Sequence, residues 1–315
     1  MRVLVAGATG VIGGRLVPVL GAVGHDVVGL ARSAEAARPL RDAGAGFVTA
    51  DALDRDGLIR AVREARPDAV VNMLTAIPAE PNPRRLAADF ALTNRLRTEG
   101  ARNLVDAAEA AGAGRIIAQG LAYAYQPGAG AADEDAPLWT ERTPKQFVPV
   151  LDALRELERV TADAGGLVLR LGHLYGPGTI FAPGGSFVRQ VREGKVPAVG
   201  GGTAVFSFTH VDDVAGAVVA ALDKDVDGVL NIVDDEPAPV AEWLPELARI
   251  LDAPAPKKAP AALARLAVGG WGVAYMSRLR GADNARVRLR LDWRPRHPSW
   301  RDGLAAELRA VRSAA

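Results

Sequence analysis

A glycine-rich turn near the start of the chain limits the choice of fold more than any other feature. The apolar run 2–6 predicts a strand, and apolar residues at helical spacing over 11–23 predict a helix. Between them, Gly7 permits a tight turn, Gly10 lets the backbone approach a pyrophosphate, and Gly13 allows the helix to pack closely on the strand. The helix N-terminus favours phosphate charge, so the turn predicts dinucleotide binding; a glycine-rich turn without a ligand is the alternative. The predicted contacts are Gly7, Thr9, Gly10, Val11, Ile12 and Gly13.

Strands and helices alternate after this turn, which is the pattern of a parallel sheet. Short apolar runs predict the strands, and apolar residues at helical spacing predict the helices between them. The predicted strands are 25–30, 47–48, 69–74, 115–118 and 167–171, and the longest predicted helices are 94–111 and 150–164. The sequence therefore predicts an α/β protein with a doubly wound, Rossmann-like parallel sheet.

Glycine and proline become frequent after the last of these strands, and a proline-rich linker at 254–260 precedes another helical stretch. The β-rich run 229–233 is suited to return to the main sheet. We therefore expect a dinucleotide-binding domain over 1–171, which the strand near 229–233 joins. A smaller, interleaved substrate-binding part is expected over 172–315.

Composition narrows the classes of partner. The chain has 38 basic and 37 acidic residues, so its net charge of +1 gives no electrostatic case for nucleic acid or an acidic membrane surface. It has no cysteine, which excludes disulfides and thiolate metal sites. His210 precedes Asp212 and Asp213, but three such residues at one helix start are more typical of capping than of a metal site. A small-molecule partner and no metal are expected.

The N-terminal apolar run must be weighed as a signal peptide. Arg15 interrupts the run over 1–24, and its glycines fit a strand that enters a phosphate-binding turn better. Nowhere does the sequence show roughly 18 uninterrupted apolar residues, so no membrane span is expected. We expect a cytoplasmic protein.

The residues after the second and third strands bear on the choice between NADP(H) and NAD(H). About 20 residues beyond the glycine turn, where NAD-selective proteins place an acid for the ribose hydroxyls, the chain has Arg32 and Ser33. A guanidinium offers paired donors to a 2′-phosphate, so NADP(H) is expected and NAD(H) is less favoured; a solvated loop arginine is the alternative. Asp51 and Ala52 are expected at the adenine, and a helix cap is the competing interpretation.

Three further segments carry a resemblance to a known family. Residues 170–178 read RLGHLYGPG and are similar to an R-x-x-x-x-Y-G-P segment beside the nicotinamide. Residues 208–215 read FTHVDDVA and are similar to an H-V-x-D-x-A helix start, and residues 292–295 read DWRP and are similar to a C-terminal G-W-x-P. With the glycine turn, these segments make the chain resemble the extended short-chain dehydrogenase/reductases, which include NAD(P)-dependent epimerase/dehydratase-like proteins. The resemblance implies cofactor contacts from Leu74, Thr75, Ala76, Gln119 and His173.

The resemblance also implies a homodimer formed through the two long helices. Apolar residues on two faces of these helices would support it, although the sheet competes for the same side chains. The leucines concerned are Leu96, Leu104, Leu151, Leu154 and Leu157.

The family's usual proton-transfer set is not visible. It consists of a serine, a tyrosine that acts as acid and base, and a lysine four residues later that lowers the pKa of the tyrosine. None of the chain's four tyrosines is followed by such a lysine, and Val150 and Leu154 occupy the places that align with the pair. The serine position after the fifth strand reads Gln119-Gly120.

An acid must therefore come from elsewhere if this chain is an enzyme. Tyr123 and Tyr125, just past the fifth strand, are the candidates, because a phenol near the nicotinamide could protonate an alkoxide as hydride arrives. The alternative is that both tyrosines are packing residues whose hydroxyls find a partner.

These observations favour an NADP(H)-dependent oxidoreductase that passes hydride to or from a small carbonyl, alcohol or activated alkene. A nucleotide-sugar epimerase or dehydratase is a second enzymatic hypothesis, but those reactions depend on the missing tyrosine. A non-catalytic NADP(H)-binding regulator, or pseudoenzyme, is the alternative from a different class.

Overall fold

Thirteen strands are present in the computed structural model, which describes residues 1–310. Seven of them form one parallel sheet in the order β11-β6-β5-β4-β1-β2-β3. The strands are β1 (Arg2–Ala6), β2 (Asp26–Ala31), β3 (Gly46–Thr49), β4 (Ala69–Asn72), β5 (Arg115–Leu121), β6 (Leu167–Leu171), β7 (His173–Tyr175), β8 (Ala198–Val199), β9 (Val205–Phe206), β10 (Phe208–His210), β11 (Gly228–Ile232), β12 (Ala238–Pro239) and β13 (Lys258–Ala259).

Helices cover both faces of this sheet. They are α1 (Gly13–Ala22), α2 (Arg38–Asp42), α3 (Arg55–Ala65), α4 (Leu86–Asp89), α5 (Ala91–Arg95), the π-helical turn π1 (Leu96–Gly100), α6 (Ala101–Ala111), α7 (Val148–Asp163), α8 (Ser186–Arg192), α9 (Val211–Leu222), α10 (Val240–Ile250), α11 (Ala261–Ser277), α12 (Ala285–Leu291) and α13 (Trp300–Ala310). None of the helices within residues 1–310 is long and apolar enough to cross a membrane.

Alternate residues of β1 explain why the sheet is doubly wound. Val3 and Val5 pack in the cluster that contains α1 and α9, whereas Leu4 and Ala6 pack in the cluster that contains α3 and α6. Successive strand side chains point to opposite faces, so a strand that is apolar throughout requires helices on both sides. This confirms the predicted fold class.

The fifth strand is longer than the sequence predicted. It runs to Leu121 because it keeps its parallel register with β6, in which Gln119 is opposite Leu169 and Gly120 is opposite Arg170. The positions compared with the family's serine therefore lie inside β5 and not after it.

The predicted helix 94–111 is interrupted by a π-helical turn. Helices α5 and α6 flank π1, whose wider winding adds backbone within a continuous helical path. Such π turns are frequent at functional sites. Arg97, on this turn, is buried with only 2% of its surface exposed.

The leucines expected to support a dimer pack inside the protomer. Leu104, Leu151, Leu154 and Leu157 are each at most 2% exposed, and Leu96 is half-buried. They leave little apolar surface for a partner, because the sheet and the second half of the chain cover them, which is the competing possibility that the sequence left open. The dimer itself stays a prediction.

The second half of the chain adds an aromatic core beside the sheet. Strand β11 returns to the sheet edge in parallel register with β6, while short strand pairs and helices α8, α10, α11 and α13 build the remainder. Trp243, Phe206 and Phe208 lie in this core together with Phe147 of the first half. The division of the chain at residue 171 stays a prediction, and residues 311–315 of its second part lie outside the described residues.

Candidate active site

A cavity of about 1300 Å³ opens at the carboxyl ends of β1, β2, β4, β5 and β6. Ligands of open α/β sheets bind in this crevice. Every residue predicted to bind the cofactor lines the cavity except Gly13 and Ser33. Of the two candidate tyrosines, Tyr123 lines it and Tyr125 does not.

The glycine turn forms the floor below the first turn of α1. Gly7 has a positive φ of 85°, and a Cβ there would lie 2.6 Å from the carbonyl oxygen of Met73. A Cβ on Gly13 would lie 2.2 Å from the carbonyl oxygen of Gly7, so this residue permits helix packing instead of lining the cavity. Thr9 and Gly10 remain exposed at the turn. The cradle fits a dinucleotide pyrophosphate, which needs backbone N–H groups free of side chains.

Arg32 lies at the cavity mouth directly after β2. It is exposed and forms no ion pair with an acid among residues 1–310. Ser33 does not line the cavity, and its Oγ accepts a hydrogen bond of 3.2 Å from the backbone N–H of Ala36. Asp51 lines the cavity after β3, and its Oδ1 accepts a hydrogen bond of 2.9 Å from the backbone N–H of Leu53. One oxygen of the local carboxylate is thereby bonded within its own turn.

The segment after β4 is held in place by buried polar groups. Asn72 Oδ1 accepts a hydrogen bond of 3.1 Å from the N–H of Leu74, and Thr93 Oγ1 accepts one of 3.0 Å from the N–H of Ala76. Thr75 lies between them, also on the cavity wall. These bonds fix the segment that follows the strand, opposite the buried Gln119 of β5.

A stack of rings forms the wall at the end of β5. The Tyr123 ring stacks on the His173 imidazole with centroids 4.5 Å apart, and His173 in turn stacks on Phe206 at 3.7 Å. Burial lowers the pKa of His173 to about 3, so the imidazole is neutral at physiological pH. Its Nδ1 lies 3.3 Å from the Ser207 carbonyl oxygen, which can only accept, so the proton resides on Nδ1. His173 thus contributes a neutral ring to the site and no acid.

Desolvation raises the pKa of Tyr123, so its phenol stays protonated and can donate a hydrogen bond at neutral pH.

The structure does not bring Tyr125 to the cavity. The Tyr125 hydroxyl donates to Asn231 Oδ1 at 2.7 Å and accepts from Arg170 Nη1 at 2.8 Å. It is a packing residue with satisfied bonds, as the alternative interpretation held, and we do not retain it as a catalytic candidate.

Arg97 is the functional candidate that the sequence analysis missed. It lies on π1 beside Tyr123, lines the cavity, and has no hydrogen-bond partner at Nε or Nη1 among the described residues. In the sequence, Arg97 looks the same as the exposed arginines around it in the predicted amphipathic helix. The π turn changes which residues face inward, and the sequence did not predict this turn.

The sequence model of the NAD dependent epimerase/dehydratase family matches residues 3–233, most of the chain. The chain belongs to the NAD dependent epimerase/dehydratase family. It is 50% identical to a 3-diazoavenalumate denitrifying reductase from a Streptomyces species, an alignment that covers 98% of this chain and 100% of the relative. It is also 31% identical to a Bos taurus epimerase family protein, SDR39U1, over 85% of this chain and 87% of the relative.

Solved structures of this epimerase/dehydratase fold superimpose on the whole chain. The UDP-glucose 4-epimerase of Thermus thermophilus, in complex with NAD, matches with a TM-score of 0.75, 24% identity and full coverage of both chains. The UDP-glucose 4-epimerase of Thermotoga maritima, with UDP-glucose, matches with a TM-score of 0.78, 21% identity, and 100% and 99% coverage. The likeness confirms the fold. Membership of the family, together with the 50% identity to a reductase, identifies the chain as an enzyme that uses a nicotinamide dinucleotide.

This epimerase/dehydratase member is apolar where the family's acid–base pair is expected. Val150 lines the cavity from α7 and is 1% exposed, and Leu154, one turn on, is equally buried in the aromatic core. Glu158 marks the register of the helix by pairing with Arg170, its Oε1 lying 2.8 Å from Nε. Neither side chain has a group that can donate or accept a proton.

Proposed function

We propose that the protein is an NADP(H)-dependent reductase that delivers hydride to an arenediazonium or related diazo compound, with loss of dinitrogen. The observation that carries the proposal is the apolar pair Val150 and Leu154 in a family site that otherwise keeps its cofactor cradle. The 50% identity with a reductase named for a diazo substrate supports it.

The chemistry of the acceptor explains why no proton donor is needed. Hydride addition to a carbonyl creates an alkoxide, which must be protonated, and this is the task of the tyrosine in the usual set. A diazonium ion is a cation: hydride on its terminal nitrogen forms a neutral diazene. The diazene then loses its N–H proton and dinitrogen, and a proton takes the place of the nitrogen on the ring carbon. One hydride is consumed, one N₂ leaves, the protons balance, and the hydride transfer itself requires no acid.

This chain's residues then have three tasks. The Gly7–Ile12 turn holds the pyrophosphate, and the dinucleotide, when bound, supplies the hydride. Tyr123 and the neutral His173 form a flat wall for an aromatic ring. Val150 and Phe147, with the aromatic residues of the second half, exclude water from the reacting end of the cavity. Water exclusion protects an electrophile that would otherwise be hydrolysed.

We further propose that the cofactor is NADPH, selected by Arg32. An unpaired guanidinium at the end of β2 matches a 2′-phosphate. A carboxylate there would favour the ribose hydroxyls of NAD(H), but Arg32 and Ser33 occupy that strand end. Titration of the cofactor-free protein should give an affinity for NADPH about tenfold or more above that for NADH. Arg32→Ala should abolish this preference, whereas Arg38→Ala, which removes a charge already paired with Asp42, should keep it. Equal affinities in the unaltered protein would refute the selection.

The function itself is tested with benzenediazonium and NADPH. We expect enzyme-dependent NADPH oxidation with one equivalent each of N₂ and benzene. Heat-denatured protein is the control for the direct reaction. Absence of oxidation above that control would overturn the proposal.

The epimerase alternative is tested in the same preparation with UDP-glucose. Its reactions depend on the tyrosine position that Val150 occupies, so we expect no UDP-galactose. Formation of UDP-galactose would favour the epimerase over the reductase.

Two further features belong to this proposal. We propose a cytoplasmic protein, for which a cytosolic supply of NADPH suffices.

We also propose a homodimer through α5–α6 and α7. The candidate contacts of this dimer are Leu92 and Val148, which are 43% and 39% exposed on these helices. Sedimentation at micromolar concentration should give twice the 32.9 kDa protomer mass, and Leu92→Glu should give the protomer. A protomer mass for the unaltered chain would exclude the dimer at that concentration.

A further inference from the structure

Arg97 is a buried cation without a partner. Its residue surface is 2% exposed, and its Nε and Nη1 atoms have no hydrogen-bond partner among residues 1–310. Burial lowers the pKa of Arg97 to about 10, while the neighbouring Tyr123 acts in the opposite direction, so the guanidinium is still charged at neutral pH. Leaving a charged group unpaired in a dry interior is costly, which is why buried charges normally have partners.

The charges of the cavity do not compensate Arg97. Among the described lining residues, the carboxylates are Asp51, which follows β3, and Glu80, which pairs with Arg189 at the opening. Lys195 pairs with Glu193 at 2.7 Å. The Tyr123 phenol beside Arg97 is neutral, because desolvation raises its pKa. The positive charge at this end of the cavity is therefore left for a ligand.

The cofactor's phosphates lie elsewhere in the proposed binding mode. The pyrophosphate is expected at the Gly7–Ile12 turn after β1, and the 2′-phosphate at Arg32 after β2. Tyr123, the neighbour of Arg97, follows β5, and β5 is separated from β2 by β4 and β1. Three strand spacings of about 4.8 Å put these strand ends roughly 14 Å apart. Arg97 thus belongs to the part of the cavity that the proposed function gives to the substrate.

The walls around this charge are aromatic and apolar. Phe147 stacks on Trp271 with centroids 4.0 Å apart, and Tyr275 packs against the same tryptophan and against His173. All four residues line the cavity. A flat unsaturated body fits such walls, whereas a hydroxyl-rich sugar would leave its polar groups unpaired.

We propose that Arg97 binds the carboxylate of the substrate, and that the substrate class is therefore an unsaturated aromatic carboxylic acid. The assignment rests on the proposed function for the location of the substrate. A guanidinium forms paired, charge-assisted hydrogen bonds with a carboxylate, which would satisfy the donors that the protein leaves open. The carboxylate would also offset one of the two positive charges that Arg97 and a diazonium group bring together.

The test uses binding without turnover. Cinnamate and its neutral analogue cinnamamide are titrated into the protein saturated with NADP⁺. The intrinsic tryptophan fluorescence, to which Trp271 on the cavity wall contributes, reports binding. We expect cinnamate to bind at least about tenfold more tightly than cinnamamide. Arg97→Gln should bring the two affinities within about twofold, and Arg97→Lys, which keeps the charge but not the planar fork, should keep part of the preference. Arg189→Gln, at a lining arginine that already has a partner, should keep all of it.

Equal affinities in the unaltered protein, or a preference that survives Arg97→Gln, would overturn the assignment. Benzenediazonium has no carboxylate, so its reduction does not depend on a carboxylate site. Measuring this reduction therefore distinguishes failure of the Arg97 assignment from failure of the proposed function. If the cinnamate preference depends on Arg97 and the unaltered protein reduces benzenediazonium, both claims hold. If the preference depends on Arg97 and the unaltered protein does not reduce benzenediazonium, the carboxylate site stands and the proposed reaction falls.

Discussion

At the scale of single residues, the site combines groups that the sequence identifies with groups that only the fold reveals. Gly7, Arg32 and Asp51 were predicted from their spacing after the strand ends, and all three line the cavity. Their contacts with the cofactor stay predictions. Arg97 was not found, because its burial depends on a π turn and on packing against distant helices. Tyr125 was misjudged for the same reason: its partners Asn231 and Arg170 lie far along the chain.

Tyr123→Phe separates diazonium reduction from carbonyl reduction. Since hydride neutralises a diazonium cation, no acid is required, and kcat should stay within about threefold of the unaltered enzyme. General acid catalysis by this phenol would instead be worth about a hundredfold or more. Steady-state kinetics with NADPH and benzenediazonium provide the measurement. A hundredfold loss of kcat, with folding intact, would argue for Tyr123 as the proton donor.

His173 should make the fold sensitive to mild acid. Its pKa falls from 6.5 to about 3 on folding, because burial disfavours the imidazolium. The unfolded state therefore takes up a proton below about pH 6.5 that the folded state refuses, and stability is lost as the pH falls from there towards about 3. The loss by about pH 5 amounts to roughly 2 kcal/mol.

His173→Phe supplies the comparison for this pH effect. The phenyl ring keeps the apolar stack on Phe206 but cannot titrate. Urea unfolding at about pH 7 and about pH 5 should show a smaller acid-induced loss of stability for the variant than for the unaltered protein. Parallel losses in both proteins would contradict the assignment of a neutral buried imidazole.

At the scale of elements, the boundaries of strands and helices were predicted well where the signal is local. Strands β1 and β6 have their predicted limits, since short apolar runs bounded by turn residues define them. The helix over 94–111 was found, but its π1 turn was not. Helix α11 was expected only as a helical stretch, and its kink at Gly269, where φ is 71° and ψ is −176°, has no local signature beyond two glycines.

The kink at Gly269 gives a prediction for this element. The first half of α11 brings Ala264 and Val268 to the cavity, and the backbone at Gly269 is in a region open essentially to glycine. Gly269→Ala should therefore destabilise the fold by about 1–3 kcal/mol. Its neighbour Gly270 is the matched control, because a Cβ there meets Gln146 Oε1 at an ordinary 3.5 Å, and Gly270→Ala should be neutral or slightly stabilising.

Urea denaturation midpoints of the two variants decide this question. Loss of stability in Gly269→Ala alone is expected. Equal behaviour of both variants would show that α11 straightens without cost.

At the scale of the whole molecule, the doubly wound sheet follows from the order of elements along the chain. A glycine turn after the first strand, followed by alternating strands and helices, allows few other topologies. The core of the second half could not be predicted, because Phe147, Phe206, Trp243 and Trp300 meet from four distant segments. Loops and long-range packing of this kind leave no local pattern in the sequence, so the aromatic end of the cavity could be described only from the structure.

The most direct test of the central claim follows the hydride itself. Benzenediazonium is reduced with NADPH that carries deuterium at one or the other of its two C4 positions, and the NADP⁺ formed is analysed by mass spectrometry together with the N₂ released. We predict that NADP⁺ formed from one labelled cofactor has lost its deuterium and that NADP⁺ formed from the other has kept it, because the bound nicotinamide presents a single face to the substrate. Equal retention of deuterium from both cofactors, or oxidation of NADPH without release of N₂, would contradict enzymatic hydride transfer to the diazo group.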